Sequence, residues 1–268
     1  MRFLCLVIDP PYSFNDKLNM SDVPRSADTN YKTLSLLDIK NLKVKDLSEE
    51  AALLALWVPS SMLQNGLDIM KEYGFTQKQT YIWVKSKINP FDELKDSFNL
   101  FYKKDLKNTS LSLKDIVLKS QHLKNLTSKS LEILNSVMSF GMGRLFRQCH
   151  ELALIGTNNN KIYNALSNKS QRSVSLAPNL KHSAKPENLQ NSLDLMFSSN
   201  KIEIFARRQR KGWVCIGNES PMTLGEDIST SIDKLLNLSG INELKLIKLI
   251  NEYEPSKSEE LYNFWKNI

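Results

Sequence analysis

Short apolar runs alternate along this chain with polar segments rich in turn residues, and their lengths and endings predict its elements. FLCLVI, from Phe3 to Ile8, is continuous and stops at Asp9-Pro10-Pro11. An unbroken run of this length predicts a strand buried on both faces, as in a parallel sheet. Proline has no amide proton to give to a ladder, so the strand ends there. Residues 12–33 are polar, rich in Asn, Asp and Ser, and read as a loop over a site. Ser35-Leu-Leu-Asp-Ile-Lys opens a helix. AALLALWV, from Ala51 to Val58, predicts a second buried strand, stopped by Pro59. Met62 to Tyr73 has helical spacing, and Gly74 suits its C-cap. TYIWVK, from Thr80 to Lys85, predicts a third strand.

The texture changes over residues 93–140, where eight Lys stand against five acids and apolar residues fall at helical spacing. Two or three inserted amphipathic helices are expected there. CHELALIG (149–156) predicts another strand, and the Asn/Ser/Lys-rich stretch 164–173 a loop. Pro186 to Met196 reads as a helix with proline in its first turn. KIEIFAR (201–207) and WVCIGNE (213–219) predict two last strands joined by a basic turn. Residues 225–268 read as a polar helical tail broken at Gly240 and Pro255. Strands alternating with helices predict a doubly wound α/β fold with a mostly parallel sheet. The expected plan is one domain from 1–92 and 141–222, an insertion at 93–140 and a tail at 223–268.

Composition narrows the partners. A chain of 268 residues, 41% hydrophobic, can bury one sizeable core. Lys and Arg number 36 against 29 acids, a net charge of +7, which favours a polyanionic partner. The three cysteines, Cys5, Cys149 and Cys215, form no CxxC pair, so neither a disulfide framework nor a metal site is expected. No apolar run approaches the roughly 20 residues of a membrane span, and the start lacks a secretory cleavage pattern. The expectation is a soluble cytoplasmic protein that does not enter membranes.

The chemistry gathers at Asp9-Pro10-Pro11-Tyr12. In open α/β sheets, ligands bind beyond the carboxyl ends of the strands, and this tetrapeptide sits at one. An adenine N6 amine is a poor nucleophile because its lone pair is delocalised into the ring. Two acceptors, the Asp9 carboxylate and the Pro10 carbonyl, would take its two N–H groups and turn the lone pair toward a methyl held on a sulfonium. Pro11 stiffens the turn, and Tyr12 would stack on a flipped-out base. The competing reading is a strand-ending turn with a buried aromatic.

Asp9-Pro-Pro-Tyr12 resembles the [DNS]PP[YFW] motif of amino-methyltransferases. Further segments resemble the MT-A70 group of N6-adenine methyltransferases, in order: Leu56-Trp-Val-Pro59, Tyr81-Ile-Trp-Val-Lys85, Gly141-Met-Gly-Arg144, His182-Ser-Ala-Lys185-Pro186-Glu187 and Glu203-Ile-Phe-Ala-Arg207 through Glu219. The resemblance implies a Rossmann-like S-adenosylmethionine-dependent methyltransferase of phage or bacterial type, with Asp9, Pro10, Pro11 and Tyr12 catalytic. It implies cofactor contacts from Asp9, Lys185, Phe205, Arg207, Gln209, Asn218 and Glu219, with the acceptor side as the alternative for Lys185. Tyr31, Arg144, Arg147, His150 and Glu151 would face the acceptor. Trp57, Trp83 and Trp213 are read as core, since each lies inside an apolar strand.

Family members usually carry an acidic strand upstream of the Asp-Pro-Pro strand. Only eight residues precede Asp9, so that element is expected to be missing or supplied elsewhere, which counts toward a silent subunit. The insertion stands where a target-recognition element could sit; a lysine-rich surface decoration is the equally weighted alternative. The first functional reading is transfer of methyl to adenine N6 in DNA, with RNA as runner-up. A catalytically silent nucleic-acid-binding subunit and a methylase of small molecules or protein amides are the alternatives. A homodimer or a partner subunit is left open.

Overall fold

The protein is described by a computed structural model covering residues 1–13, 33–87, 135, 137–139, 141, 145–179 and 184–268. The expected loop beyond residue 13, the insertion at 93–140, Tyr31, Arg144 and His182 lie outside the described residues. The chain forms two compact units. One comprises Met1–Tyr81, Leu152–Ser173 and Leu189–Ile268; the other comprises Ile82–Glu151 and Val174–Asn188.

In the first unit, β1 (Phe3–Ile8) lies between β2 (Ser48–Val58) and β6 (Lys201–Ile204), parallel to both. β7 (Trp213–Ile216) runs parallel to β6, and β4 (His150–Thr157) runs antiparallel to β2. The order is β4-β2-β1-β6-β7, with the start of β3 (Thr76–Ser86) beyond β4. The sheet is therefore mixed. The reason lies at the exit of β3, where the Lys85 amide donates to the Cys149 carbonyl at 2.8 Å. A chain that returns beside its own point of departure makes an antiparallel neighbour.

Register divides the apolar runs between two faces. Leu6 stands opposite Leu54 and Ile202, and Ile8 opposite Leu56 and Ile204. Val214 and Ile216 continue these two rows across β7. This face packs with α1 (Leu36–Lys40), α2 (Val44–Leu47), α3 (Leu63–Glu72), α5 (Ile228–Asn237), α6 (Gly240–Asn251) and α7 (Ser258–Lys266) in one core. The other face carries Cys5, Val7, Trp57, Lys201 and Trp213. α4 (Asn188–Met196) binds it through Asp194, which accepts from the Trp213 indole at 2.9 Å and pairs with Lys201 at 3.3 Å. Helices thus cover both faces, as the continuous apolar strands require.

The C-terminal helices belong to this core. Ile232, Leu235, Leu246, Ile250, Leu261, Phe264 and Trp265 are buried in it. Glu226 ties their ends, accepting from Ser231 at 2.6 Å and from the Trp265 indole at 2.7 Å. In the second unit, the end of β3 pairs in parallel with β5 (Val174–Pro178), and the Trp83 indole donates to the Ala177 carbonyl at 2.9 Å. Among the described residues, no helix is long and apolar enough to cross a membrane, and no cluster of His, Cys, Asp or Glu is placed to hold a metal ion.

Candidate active site

Three parallel strands, β1, β6 and β7, end side by side and gather polar side chains at their carboxyl ends. At the first, the Asp9 amide donates to the Ile204 carbonyl at 3.4 Å, one rung beyond β1. Pro10 cannot continue the ladder, so the chain turns. The Tyr12 amide closes on the Pro10 carbonyl and the Leu34 amide on that of Pro11, each at 2.9 Å. Tyr12 then enters the core: it is 4% exposed and its hydroxyl donates to the Trp57 carbonyl at 3.1 Å. Burial pushes its phenol well above the usual range, and the charge of Asp9 adds to the shift. The turn leaves Asp9 and Pro11 half-buried while its own aromatic anchors it from beneath.

At the second end, the strand expected over 201–207 stops at Ile204 because Phe205 adopts φ 67°. That left-handed conformation is rare for a bulky side chain. It reverses the chain so that the Ala206 amide donates to the Ile216 carbonyl at 2.9 Å, with Arg207 next, half-buried. At the third end, β7 passes into Gly217. A Cβ there would lie 2.3 Å from the Ala206 carbonyl oxygen, so only glycine admits this approach of the two strand ends. The Thr223 hydroxyl holds both the amide and the carbonyl of Gly217 at 2.8 Å. Asn218 and Glu219 follow in the open, with the Glu219 carboxylate 3.8 Å from Arg207 Nε. Gln209 is not brought to this rim. It is buried near the amino end of β7, where its amide donates to the Arg210 and Trp213 carbonyls.

The second unit holds another polar cluster. Glu151, in β4, is bridged by two lysines: Lys85 meets Oε1 at 2.5 Å and Lys185 meets Oε2 at 3.1 Å. All three side chains are mostly shielded, and the Lys85 ammonium lies 5.1 Å from the Trp83 ring centre. Burial alone would raise the Glu151 carboxyl. The charges and hydrogen bonds of Lys185 and Lys85 outweigh it and hold the group below the usual carboxylate range. Sequence reasoning picked out Glu151 and Lys185 but missed Lys85, whose only signal was a cation at the end of an apolar strand. His150 opens β4, its carbonyl accepting from the Gln148 amide at 3.2 Å, and Arg147 is exposed. The three tryptophans read as core are all buried.

A mixed α/β sheet brings a carboxylate, a guanidinium and an amide to adjoining parallel strand ends, the place where open α/β sheets bind their ligands. The chain matches the MT-A70 family over residues 3–110 and 121–219, and it belongs to that family. Membership places it among the S-adenosylmethionine-dependent, adenine methyltransferase-like proteins. A comparison with curated proteins finds no significant match.

Proposed function

We propose that this chain transfers a methyl group from S-adenosylmethionine to the N6 amine of adenine in nucleic acid, with DNA as the first substrate and RNA as the runner-up. The observation that carries the reading is the placement of Asp9. Its backbone is fixed to β6, two prolines stiffen the turn after it, and the Arg207–Glu219 pair lies on the adjoining strand ends. The donor set fits the cofactor. Glu219 offers a carboxylate for an α-ammonium, Arg207 a guanidinium for a carboxylate or ribose hydroxyls, and Asn218 an amide for either. When bound, the cofactor would supply an electrophilic methyl on a sulfonium, and the S–C bonding pair would stay on sulfur as the neutral thioether leaves.

The residues of the chain do the rest. The Asp9 carboxylate accepts one N–H of the amine. The Pro10 carbonyl keeps a lone pair beyond the one engaged by Tyr12 and accepts the other. Both acceptors draw the nitrogen toward a tetrahedral form, so its lone pair becomes available for the new N–C bond. The amine then carries an extra proton, which leaves through Asp9 to solvent. Tyr12 keeps this turn in place through its bond to the Trp57 carbonyl. The resemblance assigns Glu151 to the acceptor and Lys185 to the cofactor's carboxylate or the acceptor, and the two side chains are already paired with each other. The insertion at 93–140 serves target choice.

The test is transfer of labelled methyl to unmethylated duplex DNA, single-stranded DNA and RNA in parallel, followed by digestion to nucleosides. N6-methyladenine in one pool, abolished by Asp9→Ala in a variant that unfolds at the wild-type midpoint, is the expected result. Undiminished transfer by Asp9→Ala would overturn the mechanism. No product in any pool, with no cofactor binding, would point instead to a silent nucleic-acid-binding subunit.

A further inference from the structure

The segment leading into β4 carries Leu145 and Phe146 side by side, and they are 94% and 87% exposed. No other large hydrophobic side chains among the described residues are as bare. A single exposed leucine is ordinary on a protein surface. Two adjacent apolar side chains, both nearly free of protein contact and outside any helix or strand, are not. Their setting narrows what would cover them. Arg144 and Arg147 bracket them in sequence, and β4 begins just beyond, with Glu151 held between its two lysines in the same unit. An exposed apolar pair with an arginine on either side of it in sequence suits a partner that is anionic outside and apolar within. Duplex DNA is such a partner: phosphates line its edge and stacked bases fill its interior.

The proposed reaction also demands such a device. An adenine amine inside a duplex is paired and stacked, so the base must leave the helix before any side chain reaches its nitrogen. The vacated step collapses unless something of similar thickness and polarity fills it. Leucine and phenylalanine are among the side chains that enter base steps in this way. We propose that Leu145 and Phe146 form a wedge that enters the base stack of duplex DNA and holds the target adenine out, with Arg147 on the neighbouring phosphate. The inference rests on the reading of this chain as an adenine methyltransferase.

The double variant Leu145→Ser/Phe146→Ser removes only exposed side chains, so the fold is retained. Wild type and variant are compared on a plasmid and on the heat-denatured strands of the same plasmid. The wedge predicts a rate on duplex lowered by about tenfold or more, with the single-strand rate changed less than about twofold, because single strands need no unstacking. An equal loss on both forms, or no loss on duplex, would overturn the proposal. Permanganate oxidation of unstacked thymines gives a readout independent of catalysis and of the recognised sequence. Wild type should render thymines reactive in plasmid DNA, and the variant should not. Absence of wild-type reactivity would overturn the wedge even if methyl transfer is observed. Conversely, permanganate reactivity without methyl transfer would sustain the wedge and overturn the enzymatic reading. A shift of the variant from dimer to monomer in sedimentation would assign the apolar pair to a second copy of the chain instead.

Discussion

Tyr12 shows how much one side chain can carry in this protein. Its ring is buried beneath the Asp-Pro-Pro turn, and its hydroxyl reaches the Trp57 carbonyl. Tyr12→Phe should cost about 0.5–1.5 kcal/mol in urea unfolding, since it deletes one buried hydrogen bond. Tyr12→Ala should cost about 3–5 kcal/mol, since it also opens a cavity. An unchanged midpoint for the phenylalanine variant would show that the hydroxyl anchors nothing. Glu151 makes a second residue-scale case. With both carboxylate oxygens engaged by lysines, Lys85→Met and Glu151→Gln should be non-additive in unfolding free energy, by about 0.5–3 kcal/mol. Strict additivity would remove Lys85 from the cluster. The carboxyls of Glu151 and Glu226 are both lowered from 4.5 in the folded state. Their contribution to stability is therefore complete above that value and is lost as pH falls through the lower folded-state values. Urea midpoints should drop with acid in that window, and Glu151→Gln should flatten the drop.

Element ends, more than element interiors, set this site. β6 is four residues long because Phe205 turns left-handed, and β7 is as short because Gly217 must pass close to Ala206. Gly217→Ala should destabilise by about 1–3 kcal/mol, as overpacking against immovable backbone does. It should also weaken cofactor binding in calorimetry, since it displaces Asn218 and Glu219. Full affinity in a variant with that loss of stability would separate the strand ends from the cofactor site. The same elements show where sequence reading was sharp. β1 and β7 are buried throughout, and β2 is buried from Ala52 to Val58; short continuous apolar runs ended by Pro or Gly marked all three. β3 runs four residues further back than expected, over exposed Thr76-Gln-Lys-Gln79, because backbone pairing alone holds those positions. β5, a five-residue VSLAP strand with only Ala177 buried, is too short and too little buried to stand out and was missed.

At the scale of the whole molecule, the C-terminal helices change meaning. Read as a polar tail, residues 225–268 instead close one side of the sheet, placing Trp265 and Leu246 on the core that Val214 and Ile216 share. A chain cut after Leu224 would expose that core, and it should lose cooperative urea unfolding rather than merely shed an appendage. A truncated chain with a single sharp transition would contradict this placement.

The sequence by itself determined the buried strands, the position of Asp9-Pro-Pro-Tyr12 at a strand end and the family to which the chain belongs. These depend on local patterns: apolar runs, prolines that stop a ladder, and short motifs in a fixed order. Only the tertiary structure decided which strand ends adjoin, that β4 runs antiparallel, that Lys85 shares Glu151 with Lys185, and that Gln209 braces β7 away from the rim. Each of these depends on contacts between residues far apart along the chain. Their energies come from desolvation and from backbone approach, neither of which leaves a period or a motif in the order of the amino acids.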